Sequence, residues 1–163
     1  MRLFFYFLAL LAAQGFLGSL LSPLAPPDFF LLAALTFLWR LESWQVLLLA
    51  YGVGLLQDIV GHGQLGIHAL GLAGAVMAAI LLREQLSSDG LLSRSLIILV
   101  ALLGKWLTLT PLLIWLTGEP SAALGVLRVA PSEIILTLLV SFAVMPWANA
   151  IMDEMRKLRR ELI

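Results

Sequence analysis

Long apolar stretches separated by short polar gaps constrain this chain more than any other feature of its sequence. Of its 163 residues, 61% are hydrophobic and only 12% are charged, whereas soluble domains average about 45 to 50% apolar and about 25% charged residues. A membrane-spanning helix needs roughly 20 predominantly apolar residues. The sequence therefore predicts an all-α integral membrane protein with a single transmembrane domain over residues 1–163.

Six stretches are predicted as spans of a helix bundle. They cover residues 3–21, 29–39, 43–60, 65–82, 95–117 and 131–152, and a charged cytoplasmic tail follows at 153–163. The second stretch is the weakest, because a helix over 29–39 would rise only about 16 Å. It could be tilted, re-entrant, or extended through the proline-rich loop that precedes it. If it failed to cross, the topology of everything before residue 40 would invert.

The basic residues predict the orientation of the bundle. With a cytoplasmic N-terminus, Lys105 lies inside a span, Arg128 lies outside, and the other eight basic residues lie on the inner side: Arg2, Arg40, Arg83, Arg94, Arg156, Lys157, Arg159 and Arg160. Lysine and arginine concentrate on the cytoplasmic side of membrane proteins, so both termini are predicted to be cytoplasmic. The basic tail would attract anionic lipid headgroups.

Residues 52–71 hold the densest group of glycines and polar side chains in the chain. Asp58 lies near the outer end of the third predicted span, with Gly54 and Gly61 about one turn away on either side and Gln57 beside it. Small residues let a neighbouring helix approach closely. This pattern predicts a polar clasp between the third and fourth spans, with Asp58 as a proton or ligand group as the alternative.

Metal binding and catalysis find little support in the sequence. Asp58, His62 and His68 are a plausible ligand set, but their spacing crosses a glycine-rich turn and does not place ligands one helical turn apart. The chain has no cysteine, and we find no paired nucleophile and base and no phosphate-binding loop. We therefore expect no enzyme activity, no cofactor, no metal and no nucleic-acid partner.

Lys105 lies near the middle of the fifth predicted span, where an unpaired charge is costly. We expect it to pair with Asp58 or with Glu133, either as a structural tie or as part of a transport route. Glu133 could instead pair with Arg128 at the outer boundary.

The glycine and aspartate stretch resembles the signature of a known family. The run Gly54–Ile59, followed by Gly61, Leu65–Gly66 and His68–Leu70, is similar to the rod shape-determining protein MreD family, as are the chain length and the short basic tail. The resemblance implies a non-enzymatic scaffold in the bacterial inner membrane that takes part in cell elongation and peptidoglycan synthesis. It implies binding to the single-span protein MreC and, through it, links to a class B penicillin-binding protein, RodA and MreB.

The same resemblance leads to the alternative function. The family fold is similar to that of the S components of energy-coupling factor transporters, which suggests a substrate-binding subunit for a vitamin or another small molecule. Asp58, His68 and Glu133 would then be the candidate contacts.

Overall fold

The computed structural model describes residues 2–21, 24–61, 64–86 and 90–161. Within these ranges the chain forms helices and no strand, which confirms the all-α class. The helices are α1 (Arg2–Leu20), α2 (Phe29–Leu35), α3 (Ser43–Gly61), α4 (Ile67–Arg83), α5 (Leu91–Thr117), α6 (Pro120–Leu127) and α7 (Ala130–Glu161).

Three stretches are long and apolar enough to cross a membrane: Ser43–Gly61, Leu92–Thr117 and Ala123–Ile151. Their outward surfaces carry large apolar side chains, and Leu107, for example, is 78% exposed. A surface of this kind suits hydrocarbon rather than water. These helices identify the chain as a membrane protein. The number of membrane crossings and the side on which each terminus lies stay predictions.

The start of the sixth predicted span is matched to within a residue, but the connection before it contains a further helix. Residues 118–130 were predicted as a connection, but α6 occupies Pro120–Leu127 and α7 starts at Ala130. Pro120 is the first residue of α6, a position that costs proline no hydrogen bond. Pro131 cannot donate to the carbonyl of Leu127 and its ring clashes there, so the helix is interrupted at residues 128–129.

The second predicted span is also corrected. Only Phe29–Leu35 is α-helical, residues 36–40 form turns, and residues 25–28 are without regular secondary structure. The amide of Phe29 donates to Oε1 of Gln14, and the hydroxyls of Tyr6 and Thr36 are hydrogen-bonded. These contacts set the segment antiparallel to α1. It has the form of a loop followed by a short helix, and how it lies relative to the membrane stays a prediction.

Helix α2 lies at the centre of the bundle. All seven of its residues are buried, and Leu31, Leu32 and Ala34 have no exposed surface. A helix that is apolar on every side belongs in a protein interior. The surrounding helices pack against it. Helix α4 also packs closely on α5, where Gly104 faces Gly74, Ala75 and Ala78.

Two of the arginines predicted on the inner side meet at one end of the bundle. Arg40 follows α2 and donates to Oδ1 of Asn149 on α7 at 3.1 Å. Arg83 ends α4, and it donates to the carbonyl of Leu38 and, at 2.9 Å, to the hydroxyl of Ser43. The ends of α2 and α4 and the start of α3 therefore share one face of the molecule.

Candidate functional site

Asp58 is the centre of the contact between α3 and α4. Its side chain has no exposed surface, and its carboxylate accepts four hydrogen bonds. Oδ2 accepts from the amides of Gly66 and Ala69 at 2.8 and 3.4 Å, while Oδ1 accepts from the amide and Nδ1 of His68 at 3.1 and 2.7 Å. We call Gly54, Asp58, Gly66, His68 and Ala69 the α3–α4 clasp.

The clasp caps a helix with a residue from another helix. The first amides of an α-helix have no partner within it, and Gly66, at the N-cap position of α4, offers no side chain to accept from them. Asp58 takes that role from α3. A carboxylate is well suited to it, because the N-terminus of a helix carries partial positive charge.

Two glycines make this geometry possible. Gly66 has a φ of 97°, in the left-handed region that favours glycine. At Gly54 a Cβ atom would lie 2.4 Å from the Cα of Ala69, so no larger residue fits without moving α4. The predicted clasp is confirmed by these contacts.

The other residues singled out near Asp58 have smaller parts. Gly61 ends α3 with open space around it. Oε1 of Gln57 is buried and has no hydrogen-bond partner among the described residues. His62 and Gly63 lie outside the described residues. Within the described part of the chain, no group of three histidine, aspartate or glutamate side chains could hold a metal ion.

A second polar centre lies deeper in the bundle. Nζ of Lys105 is 2.5 Å from Oδ2 of Asp28 and 2.5 Å from Oε1 of Glu133. The three side chains are only 6%, 2% and 9% exposed, respectively. We call Asp28, Lys105 and Glu133 the charge cluster, which joins the start of α2 to the middle of α5 and the first turn of α7.

The charge cluster corrects two of the predicted pairings. Lys105 binds Glu133, as one prediction had it, but it binds Asp28 and not Asp58, whose oxygens accept hydrogen bonds from α4 instead. Glu133 pairs with Lys105 and not with Arg128, which is exposed in the turn between α6 and α7.

Asp28 is the member of the charge cluster that was not among the candidate site residues predicted from the sequence. It also caps α2, because its carboxylate accepts from the amide of Leu31 at 2.8 Å. The available signal was an isolated carboxylate between two prolines and an apolar run, together with a lysine in a span that needs a buried partner.

The chain from Leu24 to Phe29 enters the interior at Pro27 and Asp28, and each of its backbone amide hydrogens is paired. The amides of Leu24, Ala25, Asp28 and Phe29 donate to Leu21, Ser132, Thr137 and Gln14, in that order. The two intervening residues are Pro26 and Pro27, which have no amide hydrogen. Backbone without regular structure is tolerated at membrane depth only when protein satisfies its polar groups in this way.

An apolar cavity of about 260 Å³ lies between α1, α2 and α3. Its wall carries no polar surface and is formed by Leu10, Leu11, Phe29, Phe30, Ala33, Leu49, Val53 and Leu56. A vitamin-like ligand needs polar groups to orient it, and this cavity supplies none.

The basic tail belongs to α7, which runs to Glu161. The side chains of Arg156, Lys157, Arg159 and Arg160 lie outside the described part of the structure. Their predicted contact with lipid headgroups therefore stays a prediction.

Comparison of the chain with models of known protein families, with curated proteins and with solved structures finds no match.

Proposed function

We propose that this chain is a non-enzymatic scaffold subunit of the bacterial cell-elongation complex, of the MreD type, in the cytoplasmic membrane. In this proposal it crosses the membrane six times with both termini in the cytoplasm. It binds MreC, through which it is linked to a class B penicillin-binding protein, RodA and MreB.

The observation that carries the proposal is that the residues of the family-like signature come together in the contact between α3 and α4. Gly54, Asp58, Gly66 and His68 belong to the stretch that resembles the family, and all four take part in the α3–α4 clasp. Together they fix the angle and spacing of two neighbouring helices. A scaffold needs a rigid bundle of this kind to present a constant surface to a partner.

The state of the polar groups supports a scaffold over an enzyme. The carboxylates of Asp28, Asp58 and Glu133 are all engaged with amides, a histidine or a lysine. General acid or base catalysis needs such a group within reach of a substrate.

The transporter alternative predicts a pocket that holds a small molecule at Asp58, His68 and Glu133. Asp58 and Glu133 are buried and bound to protein groups, whereas the side chain of His68 is 40% exposed. The apolar cavity lies elsewhere, between α1, α2 and α3. These observations favour the scaffold.

Co-purification with MreC in a mild detergent tests the proposal. We expect a stoichiometric complex of this chain with the single-span protein. A chain that is isolated as a monomer and retains a vitamin or a metal would contradict the scaffold and favour the transporter.

An Asp58→Ala variant tests the role of the clasp in the same assay. We expect less MreC to be recovered, because α4 loses its cap and the bundle surface shifts. Glu119→Ala, which removes an exposed carboxylate, is the control and should leave recovery unchanged. If Asp58→Ala retains both full recovery and full stability, the clasp has no part in the function.

A further inference from the structure

The charge cluster contains two carboxyl groups and only one ammonium group, and burial makes an uncompensated charge there energetically costly. Asp28 and Glu133 each approach the same nitrogen of Lys105 at 2.5 Å. If all three groups were ionised, the cluster would carry two negative charges against one positive charge. Its side chains are at most 9% exposed, so water does little to screen the excess.

No other described cation is placed to correct the imbalance. Arg40 and Arg83 bind groups at the far end of the bundle. Arg128 is exposed in the turn after α6, and Arg94 lies 11 residues before Lys105 on α5, about 16 Å away along the helix. The first turns of α2 and α7 favour negative charge, but a helix terminus offsets only part of the cost of burying an uncompensated ion.

Two buried carboxylates that share one site do not both ionise readily. Because both bind one ammonium nitrogen, their contacting oxygens lie within about 5 Å of each other. Such a pair titrates as a unit, and the proton belongs to the pair and not to either residue.

We propose that the charge cluster is a proton-binding site: at neutral pH, Asp28 and Glu133 hold one proton between them, and Lys105 carries the balancing positive charge. The cluster is then neutral in the interior of the bundle. This inference is independent of the proposed scaffold function, because it depends only on the charges and burial of the cluster.

The titratable groups near the cluster come from each helix that packs on it. Asp28 precedes α2, Lys105 is on α5, Glu133 is on α7, and His68 is on α4. His68 is committed to Asp58 through Nδ1 at 2.7 Å.

Infrared spectroscopy of the full-length protein in lipid vesicles at neutral pH tests the proposal. We expect the wild type to show the carbonyl band of a protonated carboxyl group, and we expect that band to shift in deuterated water. A wild-type spectrum without such a band would overturn the proposal by itself.

Neutral variants give a sharper test. Asp28→Asn and Glu133→Gln should each abolish the band, because the carboxylate that remains forms a neutral pair with Lys105. If Glu133 were protonated independently of Asp28, the Asp28→Asn variant would keep the band. Loss of the band in that variant therefore indicates that the two residues share the proton. Persistence of the band in either variant would therefore contradict a proton shared by the pair.

The Lys105→Met variant should strengthen the carbonyl band, whereas the two neutral carboxyl variants should abolish it. Without the ammonium group both carboxyl groups should be protonated, so the band should grow by up to about twofold. A weaker band in a folded Lys105→Met protein would contradict the proposal. Glu119→Gln, at an exposed position, should leave the wild-type band unchanged.

Discussion

At the scale of single residues, Asp58 shows how a buried carboxylate can be stable within an apolar bundle. Its four donors come from the first turn of α4 and from His68. Hydrogen bonds to a charged group stabilise by about 1.5 to 3 kcal/mol each in proteins. The charge of Asp58 is thus compensated locally, by backbone amides and a histidine and not by a lysine or an arginine.

Replacing Asp58 with Asn should destabilise the protein by about 2 to 3 kcal/mol. An amide has one accepting oxygen, so some of the four donors would be buried without a partner. Reversible unfolding in mixed micelles measures the change. Glu119→Gln makes the same chemical change at an exposed site, and the prediction is wrong if the two variants unfold alike.

Gly54→Ala should destabilise the protein by about 1 to 3 kcal/mol, the usual cost of forcing an extra methyl group into a packed contact. The new methyl would meet the backbone of Ala69 and push α4 away from α3.

Gly52→Ala is the matched control, because Gly52 lies two residues earlier on the same helix with open space around it. We expect that variant to be neutral or stabilised by about 0.5 to 1 kcal/mol, since alanine is the better helix former. Comparable losses in both variants would show that the close contact at Gly54 is not what matters.

At the scale of elements, the segment before α2 is held by side chains of other helices. Thr137 of α7 is fully buried, and its hydroxyl accepts from the amide of Asp28 at 2.8 Å. Lys105 binds the carboxylate of the same residue. The start of α2 therefore depends on α5 and α7, which lie far from it in sequence.

Thr137→Val should cost about 1 to 3 kcal/mol, the penalty for burying an amide without a partner. Amide hydrogen exchange of residues 25–31 should become faster, while exchange in α4 should not. Thr110→Val is the control, because the hydroxyl of Thr110 donates only to a carbonyl of its own helix. Unchanged exchange at residues 25–31 would contradict the dependence of α2 on α7.

At the scale of the whole molecule, the arrangement of helix ends bears on the predicted topology. Arg40, Ser43, Arg83 and Asn149 meet at one end of the bundle. This shared end agrees with the placement of Arg40 and Arg83 on one side of the membrane, and it leaves the side itself to be measured.

Cysteine labelling measures that side directly, because the chain has no cysteine of its own. In intact cells, Glu119→Cys should react with a membrane-impermeant maleimide, and Glu42→Cys should react only after the membrane is opened. Leu107→Cys, midway along α5 at a lipid-facing position, should react in neither case. Equal reactivity of Glu42→Cys and Glu119→Cys in intact cells would overturn the six-span topology.

The boundaries that sequence predicted well are those of helices with uninterrupted apolar runs. The prediction for 43–60 matches α3 to within a residue, because a run of that length has one stable form in a membrane. The prediction for 29–39 was too long, and the predicted connection at 118–130 contains the helix α6. In both places prolines interrupt the backbone hydrogen bonds, and contacts from distant helices decide which conformation survives.

For the candidate site too, contacts between residues close in sequence could be predicted, whereas contacts between distant residues could not. The contact between Asp58 and its neighbours could be predicted, because Gly54, Asp58 and His68 lie close in sequence and the turn between α3 and α4 is short. The pairing of Lys105 with Asp28 spans 77 positions, and no local pattern distinguishes Asp28 from Asp58 as its partner.

By itself, the sequence determined the class of this protein, the helical content of its apolar runs and the polar clasp between α3 and α4. The physical reason is that hydrophobicity, helix length and short-range spacing act locally. Only the tertiary structure decided that α2 is a short buried helix, that α6 and α7 are separate, and that Asp28 shares Lys105 with Glu133. These features depend on which buried polar groups can reach one another, and that is set by the packing of the whole bundle.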